Sequence, residues 1–219
     1  MKILRKTPLL AAVALAALAA LAAAMLAGPA AQADTELADA PGGRVTVDVV
    51  TVNGSGCPQG TADATVNGDN TSFTVTYDRF LAEAGGSTDV VDSRKNCQIN
   101  LAVNVPSGFT YAIARADYRG YGHLESGATG MQQASYYFSG SSATTRSAHE
   151  LDGPYNGDWQ FTDRAAEFVY KPCGEQRNFN INTELRVSAG DNPALKSFMT
   201  MDSTRGSVKT VFHLAWKRC

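Results

Sequence analysis

Charge is scarce in this chain and nowhere concentrated. Of its 219 residues 18% are charged, 19 basic against 21 acidic, and no basic run occurs. A protein that neutralises phosphates needs such a run or patch, so nucleic acid is excluded as a partner. Histidine is rarer still: His123, His149 and His213 are the three. No two cysteines make a C-x-x-C pair, the nearest being Cys57 and Cys97, so no zinc or other metal centre is expected. A G-x-S-x-G elbow, a P-loop and a dinucleotide fingerprint are all missing. His149-Glu150 opens like a zinc-protease helix, but Leu151-Asp152-Gly153-Pro154 follows and ends any helix. No cofactor is therefore expected. One cation candidate is left, calcium on the oxygens of Asp152, Asn156 and Asp158, although their spacing is not that of an EF-hand loop.

Long hydrophobic runs are absent except at the start. Lys2, Arg5 and Lys6 precede an uncharged stretch from Pro8 to Ala27, then the breakers Gly28 and Pro29, then Ala31-Gln32-Ala33. This order is that of a secretory signal peptide over residues 1–33, cleaved before Asp34. An uncleaved membrane anchor is the alternative, since the apolar run is long enough to span a bilayer. Alanine richness and the small-x-small site favour cleavage, which leaves a secreted protein with no membrane association. Without a nearby Cys or an Arg-Arg pair, neither lipid attachment nor the twin-arginine route is expected. The leader holds 25 of the hydrophobic residues and none of the acids. The remaining chain carries 16 basic against 21 acidic residues and a hydrophobic share of roughly 38%, which suits two layers with wet outer faces.

Cys57, Cys97, Cys173 and Cys219 all lie after the leader. An even count in an exported chain reads as disulfides, with three pairings possible. The preferred pairing joins sequence neighbours, 57–97 and 173–219. Each closed loop would add about 4 kcal/mol by restricting the unfolded chain.

The rest alternates with period two. Phe73, Val75 and Tyr77 share one face; Cys97, Ile99, Leu101, Val103 and Val105 share another, opposite Gln98, Asn100 and Asn104. Phe109, Tyr111 and Ile113 follow the rule. So do Phe179, Ile181, Leu185 and Val187, opposite Asn178, Asn180, Asn182, Glu184 and Arg186, and so do Val208, Thr210, Phe212, Leu214 and Trp216. Each predicts a strand with one buried face. Further strands are expected at Arg44–Val52, Ala62–Val66, Gly130–Phe138, Asp158–Thr162 and Ser197–Met201. Asn67-Gly68-Asp69-Asn70 and Asp202–Gly206 read as hairpin turns. Arg79–Ala84 reads as a short helix and Gly85–Asn96 as a long polar loop. About eight to ten strands with Gly and Asn turns predict an all-β antiparallel sandwich, with a barrel as the alternative. Residues 34–43 read as a flexible N-terminus and 44–219 as one domain.

Chemistry is harder to place. Tyr118, Arg119, Tyr121, Tyr155 and Trp159 are the candidate binding residues. Aromatic rings beside Arg, Asn and Asp can stack on and hydrogen-bond a polar ligand such as a glycan or cell-wall polymer. One of Tyr136 and Tyr137 must face outward, and Asn178, Asn180 and Asn182 form a polar row that is either a binding ladder or a wet face. A secreted hydrolase is the alternative function, using His123 or acids among Glu125, Glu150, Asp152, Asp158 and Glu184. A protein-binding effector or inhibitor is another, with the Gly85–Asn96 loop as its contact. Asn53-Gly-Ser and Asn70-Thr-Ser are glycosylation sequons.

The cysteine contexts carry a resemblance. Gly56-Cys57-Pro58-Gln59-Gly60, Arg94-Lys95-Asn96-Cys97-Gln98-Ile99-Asn100, Asp117-Tyr118-Arg119-Gly120-Tyr121 and Tyr136-Tyr137-Phe138-Ser139-Gly140 resemble the secreted domain-of-unknown-function family 4360. So do Gly153-Pro154-Tyr155, Pro172-Cys173-Gly174, Asn180-Ile181-Asn182-Thr183, Asp202-Ser203 and the ending from His213 to Cys219. The likeness runs from about Val49 to Cys219. It implies a small exported single-domain protein of the kind found in actinobacteria and fungi. The family has no established activity, so the resemblance assigns no catalytic residue.

Overall fold

In a computed structural model, residues 37–201 and 209–219 are described. The leader at 1–33, residues 34–36 of the expected flexible stretch, the Asp202–Gly206 turn and Val208 lie outside the described residues. The alternation becomes β1 (Thr46–Asn53), β2 (Ala62–Val66), β3 (Ser72–Tyr77), β4 (Leu81–Ala84), β5 (Arg94–Asn104) and β6 (Phe109–Leu124). It continues with β7 (Thr129–Phe138), β8 (Thr145–Asp152), β9 (Tyr155–Arg164), β10 (Phe179–Ser188), β11 (Ser197–Thr200) and β12 (Thr210–Arg218). These twelve strands exceed the expected eight to ten.

Two antiparallel sheets form a sandwich rather than a closed barrel. One has the order β1-β5-β10-β7-β8; the other runs β2-β3-β12-β6-β11-β4, with β9 on the far edge of β6. The 16-residue β6 organises the second sheet. Along one edge it pairs with β12 over 109–118 and with β11 over 121–123, and along the other with β9 over 115–124.

The inner faces are closed by rings. Phe73 and Phe212 stack within one sheet at 5.1 Å, and Phe179 of the other sheet meets them edge-on at 6.2 and 6.0 Å. Tyr136 adds an edge contact to Phe212 at 5.9 Å, and Phe138 one to Tyr111 at 5.4 Å. Such pairs contribute roughly 0.5–1.5 kcal/mol each beyond the area they bury. Two disulfides add to this, Cys57 with Cys97 and Cys173 with Cys219. The first ties the β1–β2 connection to β5, and the second ties the β9–β10 connection to the residue after β12.

Several local expectations need correction. Arg79–Ala84 is not helical: Leu81–Ala84 is β4, paired to β11 with Ala82 and Ala84 buried. Tertiary pairing overrides the helical preference of a Leu-Ala-Glu-Ala run. The Gly85–Asn96 loop contains a 3₁₀ turn at Val90–Ser93 and the first residues of β5. β8 escaped notice because its inward residues include Ser147 and His149 and give no apolar rhythm. Residues 38–43 are fastened: the Ala38 N–H donates to Trp216 O at 2.9 Å, and the Asn70 amide donates to the carbonyls of Pro41 and Gly43 at 2.8 and 2.9 Å. Asn70 itself sits at φ +57° in the β2–β3 turn, a conformation Asn tolerates better than most residues.

Candidate binding groove

The outer face of the five-stranded sheet is built from the positions that alternate with the core. Ile99, Leu101, Phe179 and Ile181 point inward and are buried, so Gln98, Asn100, Asn180 and Asn182 point outward. Antiparallel register then aligns them in two cross-strand rows. One row runs Thr51, Asn100, Asn180, Tyr137; the next runs Asn53, Gln98, Asn182, Ser135, Arg146. A bulge at Val50 brings Thr51 opposite Asn100. Thr51, Asn53, Gln98, Asn100, Tyr137, Asn180 and Asn182 of these rows floor a groove of about 730 Å³ walled by Gln59 and Gly60, and Ser135 and Arg146 lie beyond its end.

Among the described residues no charged side chain lines this groove. Part of its polar floor is pre-set. The Asn100 amide donates to Asn180 Oδ1 at 2.7 Å, Asn178 donates to Asn100 Oδ1 at 2.6 Å, and Asn180 donates to Ser139 Oγ at 2.9 Å. Gln98 and Asn182 make no side-chain hydrogen bond among the described residues, and Tyr137 makes neither a hydrogen bond nor a ring contact. The site therefore offers amide donors and acceptors beside an uncommitted aromatic face. It offers no carboxylate or imidazole for general acid or base work.

The five residues expected to bind ligand do not assemble. Strand alternation divides them. Tyr118 is buried on the inner face of β6, where burial above all pushes its hydroxyl pKa well up. Trp159, 4% exposed, lies across Gly120, whose position leaves room for the indole because a Cβ there would sit 2.1 Å from Cζ2. Neither ring reaches solvent, so the structure removes both from the expected site. Tyr155 is half-buried, with its hydroxyl donating to Asp158 O at 2.6 Å. Arg119 and Tyr121 do face outward, on the seven-stranded sheet, opposite Gln160 and Asp158 in register. There Tyr121 stacks on Phe198 at 6.0 Å and donates its hydroxyl to Asn156.

The acids and histidines are distributed over both sheets. His123 meets Glu125 at 3.0 Å beside Phe198. Glu184 is held by Arg94 and Arg186 on the opposite sheet, and Glu150 and Asp152 lie on β8. At the β8–β9 edge, His149 bonds Asp163 at 2.7 Å and Ser147 donates to the same carboxylate. Ser147 thus spends its hydroxyl on Asp163 and not on His149, which is the wrong contact for an activated serine. These bonds instead tie β8 of one sheet to β9 of the other. Among the calcium candidates, Asn156 Oδ1 already accepts the Tyr121 hydroxyl. No group of three or more His, Cys, Asp and Glu positioned for a metal occurs among the described residues. In the Gly85–Asn96 segment Val90 and Val91 are exposed.

The amide rows could be glimpsed as the Asn178, Asn180, Asn182 alternation. Their meeting with Gln98, Asn100 and Tyr137 could not, because it depends on which strands are neighbours.

Comparison with known proteins adds the following. The family described as "Domain of unknown function (DUF4360)" matches residues 43–219. A relative from Arthroderma benhamiae, "Uncharacterized secreted protein", is 36% identical over 178 residues, covering 80% of this chain and 72% of the relative. Among solved structures, the "Bacteriophage CBA120 tailspike protein 4 enzymatically active domain" aligns over 77% of this chain and 19% of that one, at 10% identity and a TM-score of 0.25. A likeness that slight carries no argument about fold or activity.

Proposed function

The chain belongs to the DUF4360 family, and from that premise we propose that it is an exported, non-catalytic carbohydrate-binding protein. The observation that carries this reading is the groove. Two rows of carboxamides, uncharged and partly oriented by one another, flank the uncommitted ring of Tyr137. Hydroxyl-rich chains are recognised by such groups, since amides match hydroxyls as both donors and acceptors and a ring face covers the apolar side of a sugar. Export is supported by the leader at residues 1–33, by two disulfides and by a relative named as secreted.

A glycan array followed by affinity electrophoresis tests the reading. Wild type is expected to bind a subset of polysaccharides. Tyr137→Ala should weaken retention about tenfold, the worth of one aromatic contact, and Asn182→Ala should weaken it less. Neither change should lower the melting temperature appreciably. Absence of binding to every glycan, or retention unaltered by Tyr137→Ala, would overturn it.

A further inference from the structure

The groove does not end at Asn182. Gln98 and Asn182 also line a second hollow of about 190 Å³, whose other walls include Arg94, Arg146 and Glu184. Strand rise sets the spacing. Asn180 and Arg186 point to the same side of β10 and are six residues apart, about 20 Å, so the hollow prolongs the groove along the strands.

The charge arrangement there is lopsided. Arg94 lies directly opposite Arg186 in register, a like-charge pairing that costs stability on its own. Glu184 offsets it. Its Oε2 accepts from Arg94 Nε and Nη2 at 2.9 and 2.5 Å, and its Oε1 accepts from Arg186 Nε. The carboxylate is thereby covered, with its side chain 10% exposed, while the Arg94 and Arg186 side chains stay 62% and 53% exposed. Each guanidinium keeps N–H donors free toward solvent. Arg146, exposed on the neighbouring edge strand, has no ion pair or side-chain hydrogen bond among the described residues. Glu150 and Asp152 share the outward face of β8 with Arg146, opposite Met131 and Thr129. Two exposed guanidiniums, Arg94 and Arg146, thus line the hollow beside a carboxylate already saturated by Arg94 and Arg186, in a chain whose acids outnumber its bases.

We infer that this hollow is a subsite for an anionic substituent of the bound glycan, a uronate carboxylate or a sulfate ester, held by Arg146 with Arg94. The inference rests on the carbohydrate reading of the groove and narrows its ligand to acidic polymers. Guanidinium forks suit planar or tetrahedral oxyanions through paired N–H donors.

The test uses the full chain and matched probes. Polygalacturonate and polymannuronate are each compared with their carboxyl-reduced forms, and a sulfated galactan with its desulfated form, at low and high salt. Wild type should bind the acidic member about tenfold tighter at low salt, with the preference shrinking as salt screens it. The polyuronate and sulfated arms identify which anion is held. Arg146→Gln should remove most of the preference and leave affinity for the neutral member within about twofold, since it deletes a charge and not a groove contact. Glu184→Gln should raise the preference by releasing two arginines, an increase that loss of structure cannot produce. Equal binding of acidic and neutral members by wild type would overturn the subsite while leaving carbohydrate binding intact. So would a preference undiminished in Arg146→Gln. Failure to bind any member of any pair would remove both readings together.

Discussion

Removing the two disulfides one at a time separates loop entropy from packing. The bridges close loops of nearly equal length, with sequence separations of 40 and 46. Chain-entropy reasoning gives each about 4 kcal/mol, with a difference too small to measure. Their surroundings differ. Cys57 and Cys97 are fully buried in the core cluster, whereas Cys173 and Cys219 are exposed. Deleting a buried sulfur also forfeits contacts worth roughly 1 kcal/mol each, comparable to a buried methylene. The Cys57→Ala/Cys97→Ala pair should therefore cost about 5–6 kcal/mol, and the Cys173→Ala/Cys219→Ala pair about 4. Urea titration reads both losses; for a domain of this size the melting temperature should fall about 2–4 °C per kcal/mol. Removing both bridges takes away about as much as a whole domain's margin of 5–15 kcal/mol, so the fully reduced chain should be largely unfolded. Mild reductant with thiol alkylation gives an independent check, with Cys173 and Cys219 labelled before Cys57 and Cys97. Equal losses for the two pairs, or a larger loss for the exposed one, would refute the packing part. Losses under about 1 kcal/mol for both would refute the entropic part.

Two further predictions concern the seven-stranded sheet. Burial pushes the Asp117 carboxyl pKa up, but hydrogen bonds from Thr162 and His213 and the Arg115 charge outweigh it and hold it below the usual carboxylate value. A depressed folded-state pKa adds stability above the unfolded pKa and loses it as pH falls through the folded value. Asp117→Asn should thus cost about 1–2 kcal/mol at neutral pH, with the gap to wild type closing below about pH 4; a pH-independent gap in thermal melts would contradict this. Gly120→Ala would place a Cβ 2.1 Å from Trp159 Cζ2 and 2.2 Å from the Thr200 carbonyl oxygen. Because that oxygen is backbone, β6 and β11 must part, at about 2–3 kcal/mol. Gly157→Ala, whose Cβ would lie 3.9 Å from the Tyr155 hydroxyl oxygen, should be close to neutral, and equal losses for the two would rule out the steric explanation.

Much of the architecture was legible because period-two burial is local. Strands such as β5 and β10 carry Ile99, Leu101, Phe179 and Ile181 in strict alternation with Gln98, Asn100, Asn180 and Asn182, and that pattern alone marks them as half-buried. What hid β8 was chemistry: its inward Ser147 and His149 are satisfied by Asp163, so burial leaves no apolar trace. What hid the second half of β6 was glycine. Gly120 and Gly122 carry no side chain to mark the alternation, yet they are the positions over which Trp159 can lie. Tyr118, Arg119, Tyr121, Tyr155 and Trp159 share a chemistry in the sequence, but on the paired strands β6 and β9 they fall on opposite faces.

The choice between the two outer faces follows from which polar groups are already spent. On the seven-stranded sheet several outward groups serve one another, Asp117 being met by Thr162, His213 and Arg115, His123 by Glu125, and Tyr121 by Asn156 and Phe198, while Arg119 and Gln160 make no side-chain bond among the described residues. A ligand there must break those contacts before it gains its own, and each exchange returns little. On the five-stranded sheet the cross-strand amide chain through Asn178, Asn100 and Asn180 fixes orientation, while Gln98, Asn182, Tyr137 and Arg146 remain uncommitted beside it. Groups held in place by neighbours, next to groups with bonds still to make, are the condition for binding without a large ordering cost. A rich display of side chains is therefore a poor guide to a site in this fold. The proposed carbohydrate site rests instead on residues that the fold has positioned and left without a partner, on the face where the sequence shows mostly asparagine.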